Sequence, residues 1–318
     1  MSAIASSTPG AAAPVNAPSV AKTGAGRFLE RLRGAMRAAL QWRLLCWWLI
    51  LTALPALALA LPAWRAMSVP FDHSLRAVEL SAQANPLVLY DLIVQTRGAW
   101  DAVRGAGLGA SLLFLLVLSP LLNGMFVVAA RAAYPPGMGE LLRSAWRHYG
   151  RMLRLGLVAW IPLGLVMVLA AVAMKGVDRY AEHAIIEADV DHLQWLVIAI
   201  AVLLFAWANA SVDAGRACLA LYPLRRSALL AWWRGLRLVL RRQPLTSLGL
   251  YLCIMIAGFI LLAVLAWLRL RMSTASGAGV VAGLAVTQAI AAVAAWMHYA
   301  RQYAMLALIR ATELPAGL

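Results

Sequence analysis

An all-α, polytopic membrane protein with six transmembrane helices is the fold this sequence predicts, on three observations. Hydrophobic residues fill 63% of the 318 positions and charged residues only 13%, too little charge to cover a soluble domain. Six apolar runs reach the roughly 20 residues that a helix needs to cross the hydrocarbon core. The cations between those runs are distributed very unevenly.

The chain begins with MSAIASSTPGAAAPVNAPSVAKTGAG, residues 1–26, whose Ala, Pro, Ser and Gly cannot build a core. This arm is expected to be disordered. It is too long and too weakly charged for the n-region of a signal peptide, so the first apolar run is expected to stay as an anchor. The spans fall at 44–64, 108–130, 155–174, 193–212, 246–268 and 278–297. Each must be helical, because lipid offers an open backbone no hydrogen-bond partner. Residues 27–310 thus form one transmembrane domain, and 311–318 a short tail.

Orientation follows from Lys and Arg. Six lie before the first span, five after the second, seven after the fourth and two after the sixth. That places twenty on one side and eight on the other, while nine of the thirteen acids fall on the poorer side. The positive-inside rule makes the rich side cytoplasmic, with both termini inside. In that membrane role a net charge of +15 needs no polyanionic partner. Trp47, Trp64, Trp195, Trp267 and Trp296 stand near span ends, as interfacial anchors do. The Ala-, Leu- and Arg-heavy usage points to a bacterium, and hence to its inner membrane. The first outer loop, 65–107, includes LVLYDLIVQTRGAWDAV, which is expected to form short amphipathic helices on the outer face of the bundle.

An internal repeat is expected. VVAARAAY, VDAGRACL and HYARQYAM follow the second, fourth and sixth spans, and their Arg131, Arg216 and Arg301 are spaced 85 residues apart. Asn123 and Asn209 precede the first two. At an offset of 87, Leu142, Trp146, Tyr149 and Leu153 correspond to Leu229, Trp233, Leu236 and Leu240, and RFLERLRGAMRAALQWRLL is a looser third copy. The chain therefore reads as three hairpins, each led by an amphipathic cytoplasmic segment.

In LLAWWRGLRLVLRRQP, residues 229–244, a helix puts Leu229, Trp232, Leu236, Val239 and Leu240 on one face. Arg226, Arg234, Arg237 and Arg241 occupy another. The earlier copy sets Leu142, Trp146, Tyr149 and Leu153 against Arg143, Arg147, Arg151 and Arg154. Such a helix lies in the membrane interface with its guanidinium groups at anionic lipid headgroups. With the aromatics on the lipid side, nucleic acid is not the expected partner. Pro244 is expected to end the helix before the fifth span.

Polar residues inside spans mark the candidate chemistry. Span two holds Ser119, Pro120, Asn123 and Gly124, and span four ends with Asn209, Ser211 and Asp213. Asp213 is the one acid close to an inner span end, with Arg216, Arg301 or Arg131 as partners and His298 within reach of the group. The plain reading is an ion pair fixing the bundle floor, and the sharper one a site handling protons or anions. Gly279, Gly283, Thr287, Ala291 and Ala295 recur every fourth position in span six. Close helix contact there, centrally or with a second copy, would leave Gln288 as a buried hydrogen-bonding residue. His183, Glu187, Asp189, Asp191 and His192 are close in sequence, but acidity is expected of an outer loop and no metal is assigned. Cys46, Cys218 and Cys253 suggest neither disulfide nor zinc. No nucleophile with a neighbouring base and no phosphate-binding glycine loop is present, so neither enzyme nor cofactor is expected.

The hairpins, the VDAGRA end of span four and LRRSALLAWWRGLRLVLRRQP together resemble a broad group of bacterial six-span membrane proteins. That group includes the membrane domain fused to some glycerophosphodiester phosphodiesterases. The resemblance covers roughly residues 27–310 and implies a membrane module with no catalytic residue. Function is expected to be the handling or organising of lipid or a small solute, or else the scaffolding of a protein partner.

Overall fold

The computed structural model describes residues 24–72, 90, 94, 103–132, 134–183, 187–222, 227–272 and 276–313. Among these the secondary structure is helical, with no strand. Eight α-helices follow one another: α1 Gly24–Ala38, α2 Trp42–Asp72, α3 Leu108–Arg131, α4 Met138–Ala181, α5 Glu187–Leu221, α6 Ala228–Arg237, α7 Pro244–Arg271 and α8 Gly277–Glu313. Six of them, α2, α3, α4, α5, α7 and α8, are long and apolar enough to cross a membrane. Each contains one expected span. The chain is an all-α, multi-pass membrane protein.

Exposure supports the same conclusion. Leu112, Leu113, Val168, Val172, Leu196, Val202, Phe259, Ile260, Val264 and Val281 stand exposed along the spans. An apolar belt of that extent is tolerable only against lipid. The core sits instead in the half of the bundle where α3, α5 and α8 end. There Pro120–Val127 of α3, the lower part of α5 and the Ala295–Ile309 stretch of α8 are largely buried.

α5 is the hub, touching α3, α4, α6, α7 and α8. Its sequence explains this. Ala206, Ala208, Ala210, Ser211, Ala214, Gly215 and Ala217 are all small and buried, so neighbouring backbones can approach closely without a hydrophobic driving force. The tightest approach is to α6. A methyl group on Gly235 would lie 2.6 Å from Gly215 N and 2.7 Å from Ser211 O. Gly124 of α3 meets α4 in a similar way, since a methyl there would lie 2.8 Å from Ala145 O.

The connections hold the basic end together. α1 lies against α8 and α7, with Phe28, Leu32 and Met36 turned to the core and Ala35 buried. Trp296 Nε1 donates to Met36 O at 3.0 Å, and Gln41 Nε2 to the Tyr303 hydroxyl at 3.3 Å. Arg43 Nη1 donates to Pro135 O at 2.6 Å and to Pro136 O at 2.7 Å, and Trp47 Nε1 to Met138 O at 3.1 Å. These bonds dock α2 on the α3–α4 connection.

The segments leading into spans three and five differ. The first continues without a break as part of the 44-residue α4. The second, α6, passes into a π-helical turn over Leu238–Arg242, and α7 restarts at Pro244. Pro244 lacks the N–H that would continue the ladder and fits only the first turn of a helix. Nothing comparable stands between Arg143 and Leu155 in α4. The face that α6 turns to the protein also departs from expectation: Ala228, Ala231, Gly235, Leu238 and Val239 are buried. Trp232, expected to face lipid, donates from Nε1 to Ser211 Oγ at 3.2 Å, whereas Leu229, Leu230, Trp233 and Leu240 are exposed.

Gln288 is exposed and not buried as expected. In its small-residue stripe Gly283 and Ala295 are buried, while Thr287 is exposed and donates to Gly283 O at 2.9 Å. The helices expected in loop 65–107 lie mostly outside the described residues, which in that loop comprise the extension of α2 to Asp72, the helical Tyr90 and Val94, and a π-helical turn over Val103–Gly107 that leads into α3.

Candidate functional site

The buried lower end of α5 carries Asp213, 1% exposed. Its Oδ1 accepts a hydrogen bond from Arg216 Nη1 at 2.7 Å, one helical turn on. Its Oδ2 lies 3.5 Å from Arg301 Nε of α8, an ion pair without hydrogen-bonding alignment. Arg301 Nη1 donates to the Tyr251 hydroxyl of α7 at 3.0 Å and to Met255 Sδ at 3.1 Å. The guanidinium also lies over the Tyr251 ring, 5.1 Å from its centroid. One carboxylate therefore faces two permanently charged guanidinium groups, both with side chains only 15–17% exposed.

A second set of polar groups adjoins the first. His298 Nδ1 faces Arg301 Nη2 at 3.5 Å, and its Nε2 lies 3.1 Å from Asn123 Oδ1 and 2.9 Å from Gln302 Nε2. Gln302 Nε2 donates to Asn123 Oδ1 at 2.7 Å. Asn123 Nδ2 in turn donates to Ser119 O of its own helix at 2.8 Å. Trp48 and Tyr299 pack against the imidazole with centroids 5.0 and 5.5 Å away. The cluster thus runs from α3 through α8 to α5, with a side branch to α7.

Around it lie hydrocarbon grooves. One, about 690 Å³, opens between α4, α5 and α7; its walls include Val166, Val202, Phe205 and Phe259, and its polar end is Asn209, Tyr251 and Arg301. A second, about 460 Å³, opens between α3 and α4 and reaches Ser119, Pro120 and Arg216. Met167 of α4 is part of the wall of both.

Asp213, Arg216, Arg301, His298 and Asn123 are thus within one cluster. Asn209 is beside it, with its amide donating to Phe205 O at 3.2 Å. Arg131 is elsewhere: Nε donates to Ala220 O at 2.6 Å and Nη2 to Leu219 O at 2.7 Å, capping the end of α5. A helix end leaves such carbonyls without intrahelical partners, and a cation there also meets the negative end of the dipole. Arg131→Met is expected to lower stability by about 1.5–3 kcal/mol, the usual range for charged hydrogen bonds. Thermal unfolding followed by size exclusion in detergent would measure it, with Arg131→Lys falling between because an ammonium cannot form the same fork.

No family model, no curated protein and no solved structure matches this chain. Its chemistry must be read from its own residues. Tyr251 and Gln302 are the members that inspection of the chain passes over. Gln302 stands four residues after His298, a spacing that places them on one face; Tyr251 has no local signal. Of the arginines expected at headgroups, Arg143, Arg147, Arg154, Arg234, Arg237 and Arg241 are exposed. Arg147 Nη2 also donates to Ser144 Oγ at 2.9 Å. Arg151 is half-buried, and Arg226 lies outside the described residues.

Proposed function

We propose that this is a non-enzymatic lipid-binding protein of the bacterial inner membrane, with both termini cytoplasmic. The single observation that carries this reading is the 690 Å³ groove between α4, α5 and α7, apolar along its walls and ending on Asn209, Tyr251 and Arg301. Such a volume lies within the roughly 300–1,000 Å³ of ligand sites, which combine apolar walls with a few converging polar groups. The exposed arginines of α4 and α6 would rest at headgroup phosphates on the same side. The positive-inside bias supports the orientation, and a reporter fused near residue 185 is expected to be periplasmic.

The test of lipid binding is photolabelling. Protein reconstituted with a phosphatidylcholine bearing a diazirine on its acyl chain should be labelled on the groove-lining peptides of α4, α5 and α7. Labelling confined to outward-facing residues such as Ile260 and Val264 would overturn it.

We also infer descent from a repeated hairpin, in keeping with the resemblance to bacterial six-span proteins. The close approach of Gly124 to Ala145 and the Ser211–Trp232 bond each join residues 21 apart, and the two pairs are offset by the same 87 residues as the arginine-bearing segments. A scaffold role is the second reading, favoured by the exposure of Arg234, Arg237 and Arg241. A partner that co-purifies stoichiometrically and is lost when these become Ser would support it.

A further inference from the structure

We infer that the α4–α5–α7 groove holds one phospholipid of net negative charge, its phosphate against Arg301 and one acyl chain along α5. This rests on the lipid-binding reading and adds which lipid is taken and what selects it.

The selection is by charge. Asp213 is the only acid among the described residues of the cluster, and its hydrogen-bonded partner is Arg216 at 2.7 Å. Arg301 sits 3.5 Å from the other oxygen, and its buried Nε has no hydrogen-bond acceptor. Of five guanidinium N–H groups, two reach Tyr251 and Met255 through Nη1 and one approaches His298. The group as a whole keeps one positive charge more than it neutralises. At the inner edge of a membrane such an excess calls for an anion. Arg301 forms part of the groove wall, so the anion can arrive by that route.

Groove length sets the rest. From Asn209 to Val197 the groove follows twelve residues of α5, about 18 Å at the helical rise. One leaflet, half of a hydrocarbon core about 30 Å thick, is matched by a single acyl chain of that extent. A zwitterionic head would bring its own cation toward Arg301 and Arg216, where low dielectric strengthens repulsion. A net-negative head has no such conflict.

The experiment uses full-length protein in nanodiscs with a diazirine-tailed phosphatidylglycerol or phosphatidylcholine probe at equal mole fraction, and reads label on the Leu252–Phe259 peptide. Phosphatidylglycerol should label about tenfold more, the scale of one charge-assisted hydrogen bond. Arg301→Gln should remove this preference, bringing the two probes to equal labelling. Ala170→Trp, which fills the groove without touching the ion pair, should abolish both. Because Arg301→Gln can compromise folding, Asp213→Asn supplies an independent arm. Its thermal midpoint should rise in phosphatidylglycerol nanodiscs relative to phosphatidylcholine by more than that of the unaltered protein does. Equal labelling by both probes, unaffected by Arg301→Gln, overturns charge selection and leaves the lipid groove standing. Displacement of the phosphatidylglycerol label by a stoichiometric free fatty acid overturns the phospholipid assignment. Labelling of neither probe in the groove overturns both readings.

Discussion

Gly235→Ala is expected to cost about 3 kcal/mol or more, from the addition of one methyl group. That methyl would lie 2.6 Å from Gly215 N, 2.7 Å from Ser211 O and 3.0 Å from Ala214 C. All three are backbone atoms of α5, so no rotamer change relieves the contact. α5 and α6 would have to separate. Overpacking of a core costs typically about 1–3 kcal/mol, and separation also strains the Trp232–Ser211 hydrogen bond, worth about 1 kcal/mol. Gly150 in α4 provides the control, because a methyl there meets nothing within 4 Å. Gly150→Ala should stabilise by about 0.5–1 kcal/mol through the unfolded chain and helix propensity. Thermal midpoints measured side by side in one detergent decide the matter. If Gly235→Ala behaves like Gly150→Ala, α6 does not cross α5 as described.

That glycine marks the boundary of what the chain makes legible. The six spans are readable because lipid enforces long uncharged helices, and their positions agree with α2, α3, α4, α5, α7 and α8. The restart at Pro244 is readable because one residue lacks an N–H. Helical periodicity, however, separates polar from apolar residues and not lipid from protein. Leu229 and Trp232 look alike to it, yet one is exposed and the other reaches Ser211. Small residues could have pointed to the protein-facing side of α6, since Ala228, Ala231 and Gly235 follow helical spacing. Gln288 shows the converse: a stripe of small residues permits close packing, but does not say which of its neighbours the contact will cover.

The cluster was legible to the same degree. Asp213 stands out as a lone acid near a span end, and Arg216 at i+3 must share its face. Whether Arg131 or Arg301 completes the group depends on how helices far apart in sequence meet. Arg131 reaches past Asp213 to the end of α5 because two open carbonyls lie there. Tyr251 enters only because α7 stands against α5.

Asp213→Asn is expected to cost about 3–5 kcal/mol, the usual penalty for removing one partner of a buried pair. The amide would leave two guanidinium groups facing each other near the floor of the bundle, with little water to screen them. A double-mutant cycle separates their parts. Arg216 donates a 2.7 Å hydrogen bond to the carboxylate, whereas Arg301 lies 3.5 Å away and is held as well by Tyr251 and Met255. Asp213→Asn with Arg216→Gln should therefore recover much of the loss, with a coupling of about 2–3 kcal/mol. Asp213→Asn with Arg301→Gln should recover less, about 0.5–1 kcal/mol, since Arg301→Gln also removes the donors to Tyr251 and Met255. Chemical unfolding in mixed detergent micelles, with the neutral detergent held constant, would measure all four corners of each cycle. A single Asp213→Asn variant as stable as the parent would mean that Asp213 does not hold the two arginines. Larger recovery with Arg301→Gln than with Arg216→Gln would assign the main ion pair to α8, and the uncompensated cation would then be Arg216, facing the α3–α4 groove.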